Sequence, residues 1–466
     1  MTAPKKLDRS IVEGPIAAAV WHIAWPTMMQ NILAGLQGVV DHALVGNFVG
    51  FTANAAIGVS WQIFLVVMVF ISSLFIGMGV LAARFAGAGD VGKVNRVIYQ
   101  AFLTALGMSL LILAPIGYVV APSLLDLVHA TPAVQHEALP FLRIMFTCSA
   151  GMLVFFMLGG AMRSAGDAKT PLRMGIAIMI LNVIFNIVLI RGLGPVPALG
   201  TAGAAIGTSL ANALVALFAI RQLFRGAWVV SFKGLPSYAP DWEIIKGLFR
   251  FGLPAGVQGI AMNIGGVLML RYIGSLERSA EAQAAWAVSY VELFSFITWT
   301  SIGLMGAAAS VAGQNLGAGQ PERAIKAVGV AARIGLIMAT GIGLLFFFIP
   351  RQLLLVFGMT DPAASALAVQ LLGFLAVSGL FITVALSYTG GLQGTGDTKS
   401  PLYISIVSQM VVPLGLCAIL SAVRGLQPMD IWIAVVLGHF TRAALSVVRF
   451  RQGKWRKIEV RLSAAA

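Results

Sequence analysis

Apolar stretches recur along almost the whole chain and are separated by short polar breaks. Each stretch of about 20 residues is long enough to cross a bilayer core of roughly 30 Å as a helix. The pattern therefore predicts an all-α, polytopic membrane protein of twelve transmembrane helices. The spans are expected near residues 17–40, 55–80, 98–121, 138–160, 170–191, 201–222, 248–272, 285–311, 327–349, 367–391, 401–422 and 430–449.

Composition and charge narrow the class of protein. The 466 residues are 59% hydrophobic and only 10% charged, which is unlike an ordinary soluble domain. The net charge of +14 is spread over the short gaps between apolar stretches, so we expect no nucleic-acid partner. Cys148 and Cys417 both fall inside apolar stretches, and we expect neither a disulfide nor a metal site. The N-terminal region lacks the pattern of a removable signal peptide.

The basic residues also predict an orientation. An even number of spans places both termini on one side of the membrane, and most of the 31 lysines and arginines lie in the tails and loops of that side. By the positive-inside rule, that side is cytoplasmic.

An internal repeat organises the chain, at a separation of about 230 residues. Its clearest part aligns Gly160–Pro171 with Gly390–Pro401. Each repeat holds six spans, an even number, so the two six-helix bundles are expected to be related by a pseudo-two-fold axis along the membrane normal. The predicted domains are residues 1–222, a cytoplasmic linker at 223–245, and residues 246–466.

The aligned segments contain a Gly-Asp-x-Lys-Thr/Ser-Pro motif. Its glycine suits the left-handed turn that ends a helix, and we expect Thr170 and Ser400 to be the N-caps of the helices that follow. Pro171 and Pro401 would then occupy the first helical positions. The motif favours a tight hairpin over a direct role in ligand binding.

Pro26 and Pro254 fall inside the first span of each half. A proline removes one backbone hydrogen bond and clashes with the preceding turn, so a bend or hinge is expected at each. Pro26 indicates either a cavity beside the first span or a passive kink.

Of the 17 acidic residues, only Asp41 and Glu292 fall clearly within the spans. Such residues are costly without a partner and are functional candidates by default. Asp41 lies roughly four helical turns after Pro26, and a buried carboxyl can bind a proton from one side and release it on the other. The alternatives are a capping role for Asp41 and, for Glu292, pairing with the backbone or Arg271.

Two pairs of polar residues are spaced four apart, so that each pair shares one face of its helix. Asn182 and Asn186 lie on span 5, and Thr208 and Asn212 lie on span 6. Buried amides need hydrogen-bond partners, and these residues either line a cavity with Asp41 or bridge helices.

The segments Gly303–Gly319 and Gly203–Thr208, with the two Gly-Asp-x-Lys-x-Pro loops, resemble the multidrug and toxic compound extrusion (MATE) family. The resemblance covers nearly the whole chain. It implies a V-shaped pair of six-helix bundles around a central cavity that alternates between cytoplasm and periplasm. It also implies a monomeric transporter of the bacterial inner membrane, not an enzyme, that needs no cofactor and exchanges amphipathic organic cations for protons or sodium.

The resemblance also implies residue roles. Pro26 matches the proline at which the first helix bends in proton-coupled members, and Asp41, Asn182 and Thr208 match their cation-coupling site. Asn186 stands where some members carry a second acid; with one carboxylate, a sodium ion would be less well neutralised, which favours protons.

The sodium-coupled branch instead has a Glu on span 7 and an Asp on span 10, where this chain has Met262 and Ile382. Glu292 is therefore the main candidate in the second half. The full set of substrate-cavity candidates is Glu292, Gln30, Gln62, Gln258, Tyr290 and Met262.

Two other functions, a flippase and a membrane enzyme, fit the sequence less well. A flippase for lipid-linked precursors usually needs several cationic residues for phosphates, and we find no clear arginine or lysine in the middle of a span. A membrane enzyme would need a catalytic cluster, and no such motif is present.

Overall fold

Twelve helical segments follow one another along the chain. The computed structural model describes residues 7–460, apart from the side chains of Phe70 and Ser72; the predicted tails at 1–6 and 461–466 lie outside this range. The segments are α1 (Ile16–Phe48), α2 (Phe51–Gly87), α3 (Val91–Leu127), α4 (Pro132–Thr147 and Ala150–Ser164), α5 (Lys169–Arg191), α6 (Gly200–Arg225), α7 (Trp242–Gly274), α8 (Ser279–Gly317), α9 (Pro321–Phe348), α10 (Pro362–Gly394), α11 (Lys399–Arg424) and α12 (Pro428–Arg451).

These segments confirm the all-α class, and one segment corresponds to each predicted span. In the described part of the chain, ten of the helices are long and apolar enough to cross a membrane, or eleven if the two parts of α4, bent by 54°, form one span. The helix outside this set is α1, which carries His22, Pro26 and Asp41 among its apolar residues. Three short helices complete the description: Ser10–Glu13, Pro350–Val356 and Lys454–Lys457.

Three of the long helices contain a π-helical segment. These segments are Met108–Leu113 in α3, Ala287–Leu293 in α8 and Val407–Val411 in α11. A π segment inserts a residue into the helical ladder and often marks a functional site. Sequence periodicity did not predict any of the three.

Contacts divide the chain into two compact units. Among the described residues, unit 1 comprises 7–9 and Met29–Gly256, and unit 2 comprises Ser10–Met28 and Val257–Val460. The divisions fall inside α1 and α7, each just after Pro26 or Pro254, and not in the linker expected at 223–245. The reason is that the non-helical chain before Trp242 packs on α3: Gln100 Nε2 donates to the carbonyl of Ala239 at 2.8 Å.

Glycines allow close helix packing inside each unit. A Cβ on Gly77 of α2 would lie 2.2 Å from the Leu248 carbonyl oxygen of α7, within unit 1. In unit 2, a Cβ on Gly303 of α8 would lie 2.7 Å from Met28 Cα of α1. Such approaches are possible only with a residue that has no side chain.

The repeated hairpins are capped differently from the prediction. The glycines do adopt positive φ, +96° at Gly166 and +98° at Gly396. However, α5 and α11 begin at the lysine, and the preceding aspartate carboxylate accepts the backbone N–H of Thr170 or Ser400 at 3.0 and 3.1 Å. A carboxylate also complements the positive end of the helix dipole. Thr170 and Ser400 are therefore not the N-caps; they donate their hydroxyls to that same carboxylate.

Candidate functional site

A buried polar cluster in unit 1 brings together the four predicted coupling residues. Asp41 and Thr208 are each 3% exposed, and Asn182 and Asn186 are fully buried. The Asn186 amide donates to Asp41 Oδ1 at 2.8 Å, and the Asn182 amide donates to Thr208 Oγ1 at 2.9 Å. The cluster therefore joins α1, α5 and α6 through side chains that lie far apart in the sequence.

Small residues on α6 make room for this cluster. A Cβ on Gly207 would lie 2.2 Å from Asn186 Oδ1, and one on Gly203 would lie 2.5 Å from the Leu189 carbonyl oxygen. Asn212, one turn beyond Thr208, donates to the Thr208 carbonyl at 2.9 Å and so bridges its own helix. Gly207 thus positions Asn186, and through it the hydrogen bond to Asp41.

The cluster has more acceptors than donors. Oδ1 of Asn182 and Oδ1 of Asn186 are buried and have no hydrogen-bond partner. An amide oxygen can only accept, and a buried acceptor without a donor is costly. One carboxylate beside two unpaired carbonyl oxygens therefore suits a bound proton or a small cation. In the described residues, no group of three or more His, Cys, Asp or Glu side chains could hold a metal ion.

The predicted hinge at Pro26 lies inside a helix that stays continuous from Ile16 to Phe48. The hydroxyl of the next residue, Thr27, donates to the carbonyl of Ile23 at 2.7 Å. A bend at Pro26 stays a prediction.

The substrate-cavity candidates do not form one site. In unit 1, Gln30 accepts from Arg163 Nη1 at 3.4 Å, whereas Gln62 is exposed. In unit 2, Gln258 is buried and donates to Ser405 Oγ at 2.8 Å, which is a bond between helices. Met262 is 36% exposed.

Tyr290 and Glu292 both lie in the π segment Ala287–Leu293. The Tyr290 ring stacks on Trp286 with centroids 4.1 Å apart. Glu292 is half-buried, and among the described residues no ion pair joins it to Arg271, which is exposed.

One buried cation was missed from the sequence. Arg442 of α12 is 2% exposed and His439, one turn earlier, is 3% exposed. Arg442 lies near the middle of α12, so the expectation that no clear arginine or lysine lies in the middle of a span is wrong. The signal was available, because Gly438, Arg442 and Ser446 are spaced four apart and share one helix face.

Comparisons with known proteins agree with this architecture. The family model described as MatE matches residues 26–188 and 254–419. The chain is 27% identical to the probable multidrug resistance protein NorM of Thermotoga maritima over 93% of this chain and 92% of the relative. It is 26% identical to the multidrug export protein MepA of Staphylococcus aureus over 89% of each chain.

Solved structures share the fold. An outward-facing MATE family transporter of the MOP superfamily matches with a TM-score of 0.89 at 20% identity, over 98% of this chain and 100% of that one. Structures of MATE in the bent and straight conformations each match with a TM-score of 0.87 at 21% identity, over 97% of this chain and 99% and 100% of theirs.

Proposed function

Because the chain belongs to the MatE family and is a multi-pass membrane transporter, not an enzyme, we propose that it exports amphipathic organic compounds in exchange for protons. The observation that carries the proposal is the buried Asp41 carboxyl, hydrogen-bonded by Asn186 beside two unpaired amide oxygens. We further propose that the protein works as a monomer in the bacterial inner membrane, with both termini cytoplasmic and no cofactor.

The substrate class rests on the relatives. NorM and MepA are described as multidrug resistance and multidrug export proteins. Drugs, dyes and toxic metabolites of this kind are often cationic and amphipathic, and we propose the same class for this chain.

The choice of a proton rests on charge. The cluster holds a single carboxylate, because Asn186 supplies an amide where a second acid would better neutralise a metal cation. A sodium ion prefers several oxygen ligands and a matching negative charge, whereas one carboxyl is sufficient to bind one proton. Sodium coupling is the alternative, and the unpaired oxygens of Asn182 and Asn186 favour it.

The coupling step is proposed to work through α1. Protonation removes the charge of Asp41 and changes its hydrogen bond with Asn186, and Pro26 on the same helix weakens the helical ladder. A proton would thereby shift the balance between two shapes of this helix. MATE structures described as bent and straight both resemble the chain.

A flippase for lipid-linked precursors is the second candidate. The sequence disfavours it because no clear arginine or lysine is expected in the middle of a span, and Arg442 supplies one. A single arginine falls short of the several that a diphosphate group requires.

Efflux from proteoliposomes tests the proposal. Wild-type protein should expel the cationic dye ethidium when a proton gradient is imposed, and Asp41→Asn should abolish this efflux while the protein is still inserted and folded. Asp126→Asn, which changes an exposed carboxylate of α3, is the matched control and should retain full efflux. Proton-driven efflux in Asp41→Asn, or efflux driven only by a sodium gradient in the wild type, would contradict the proton assignment.

A further inference from the structure

A second buried polar cluster lies in unit 2 and contains none of the residues assigned above to coupling. It consists of Ser408 and Gln409 of α11 with Arg442 and Ser446 of α12. Ser408 and Ser446 are fully buried, and Arg442 is 2% exposed. Four of their side-chain atoms are buried without any hydrogen-bond partner: Ser408 Oγ, Gln409 Nε2, Arg442 Nε and Ser446 Oγ.

The backbone places these side chains on facing surfaces. A Cβ on Gly438 of α12 would lie 2.6 Å from the Ser408 carbonyl oxygen and 3.6 Å from Gln409 Nε2. Helical side chains lean back toward the N-terminus of their helix, so we expect Arg442 to extend over Gly438 toward the Gln409 amide, and Ser446 to extend toward Arg442. The π segment Val407–Val411 presents Ser408 and Gln409 to this face.

Arg442 has no carboxylate partner. The buried carboxylates of unit 2 are Asp397 and Asp430, and each has its own arginine, Arg449 at 2.8 Å and Arg424 at 2.6 Å. In the part of the chain that the structure describes, no ion pair joins Arg442 to Glu292 or to any other acid. An arginine keeps its charge in proteins, so this guanidinium is a buried positive charge without a counter-ion.

The unpaired atoms define the chemistry of the missing partner. Arg442 Nε and Gln409 Nε2 can only donate, and the two serine hydroxyls can also donate. Their complement is a group that accepts hydrogen bonds and carries negative charge. A neutral water would satisfy the donors but would leave the charge uncompensated.

An aromatic stack borders the cluster. Phe294 stacks on His439 of α12 at 5.8 Å and on Tyr290 at 5.4 Å, and Tyr290 stacks on Trp286 at 4.1 Å. His439 Nδ1 is bonded to Ser378 Oγ at 2.5 Å, so one imidazole nitrogen is already occupied. The surroundings therefore contribute aromatic surface and the Tyr290 hydroxyl, which interacts electrostatically with Arg442, but no carboxylate.

We propose that Arg442, with Ser408, Gln409 and Ser446, forms a buried binding site for one monovalent anionic group. The group is either the carboxylate of an amphipathic organic compound or an inorganic anion such as chloride. Either one supplies a single negative charge and several hydrogen-bond acceptors. The site does not depend on the direction of transport or on the coupling ion, so it goes beyond the function proposed above.

Thermal unfolding and tryptophan fluorescence of the purified full chain test this site, in a sulfate buffer of constant ionic strength. Sodium salicylate supplies the organic carboxylate, sodium chloride the inorganic anion, and salicylamide a ligand of similar shape without charge. We expect one or both anions, but not salicylamide, to raise the unfolding temperature of the wild type. The anion that does so identifies the source of the charge.

The variants locate the effect. Arg442→Gln should weaken anion binding by roughly 30-fold or more. Without anions it should unfold no earlier than the wild type, because it no longer buries an uncompensated charge. Arg451→Gln, an exposed arginine at the end of the same helix, should behave as the wild type.

Three outcomes overturn the proposal. The first is that neither anion raises the unfolding temperature of the wild type. The second is that salicylamide raises it as much as salicylate does. The third is that an anion raises the unfolding temperature of Arg442→Gln as much as that of the wild type. The proposed export function can fail in the proteoliposome test without affecting any of these results, because binding is measured here with no gradient.

Discussion

The two halves of the chain share their hairpins and differ in what they bury. Each half has a glycine with positive φ followed by an aspartate that caps the next helix. Beside the last two helices of the first half lies a carboxylate among amides, centred on Asp41; between the last two of the second lies a guanidinium, Arg442, among hydroxyls and an amide. The two halves therefore share the turns that connect their helices and differ in the sign of the buried charge that has no ionic partner.

This contrast between shared hairpins and different buried charges indicates which positions can change with function. A hairpin that ends one helix and starts the next is constrained by backbone geometry, so both copies need the same residues. An interior position is constrained only to have a compensated charge. The two interiors are therefore free to bind ligands of opposite charge.

The largest effect is expected from a substitution that displaces Asn186 from the buried Asp41 cluster and leaves Asp41 itself unchanged. In Gly207→Ala, the new Cβ would lie 2.2 Å from Asn186 Oδ1, so Asn186 must move away from Asp41. We expect a loss of about 2 kcal/mol in the free energy of unfolding and a fall in proton-driven efflux of roughly 10-fold or more. Unfolding in detergent and ethidium efflux measure the two effects.

Gly107→Ala is the matched control, because nothing lies within 4 Å of that Cβ position. It should leave efflux unchanged. If Gly207→Ala also transports normally, the hydrogen bond between Asn186 and Asp41 does not matter for coupling. The acidic cluster of the first half would then have no demonstrated role.

A smaller effect should separate the two hairpins that otherwise match. Asp397 is 6% exposed and pairs with Arg449 at 2.8 Å, whereas Asp167 is half-buried and caps its helix only. Asparagine also caps helices well, so Asp→Asn removes mainly charge. We expect Asp397→Asn to cost about 2 kcal/mol and Asp167→Asn about 0.5 kcal/mol, measured as the free energy of unfolding. Equal costs would mean that the Arg449 pair adds nothing to the shared hairpin.

The smallest effect on stability is expected at Asp90, a carboxylate that lies outside both buried clusters. Asp90 caps α3 between two spans. Partial burial raises its pKa, but the backbone N–H and the ammonium of Lys93 more than offset this and hold the pKa below the ordinary value of 3.8. Because the pKa is lower in the folded state, its stabilisation is present above about 3.8 and is lost as pH falls through the folded pKa.

The expected size is a few tenths of a kcal/mol, since the Asp90 side chain is 37% exposed and solvent screens the pair. Unfolding temperatures of the wild type and Asp90→Asn should differ slightly near neutral pH and converge in acid. A difference that grows in acid would show that folding does not lower the pKa of Asp90.

Much of the fold follows from the sequence because hydrophobic length is a strong signal. Each predicted span has a helical counterpart, since a stretch such as 170–191 must satisfy its own backbone hydrogen bonds in lipid. The π segments were not predictable, because one inserted residue barely changes the apolar pattern. The capping error at Thr170 had a similar cause: Asp167 and Thr170 are both good caps, and only the exact start of α5 decides between them.

The site was partly predictable for a comparable reason. Asp41 stood out because an acid in an apolar helix is rare. Arg442 did not, because an arginine in a span usually extends its long side chain along the helix so that its charged head reaches the interface. Its burial depends on the close approach of Gly438 to the π segment of α11. The spacing of Gly438, Arg442 and Ser446 can be read from the sequence, but the helix that faces them cannot.

The position of the divisions at Met28 and Gly256 has a consequence for how the protein is made. Residues 10–28 are synthesised long before Gly303, against which Met28 packs. Unit 1 likewise waits for residues 242–256 before Gly77 can meet Leu248. Each unit therefore needs residues from both halves of the chain, and contacts between residues so far apart in sequence form more slowly than local ones.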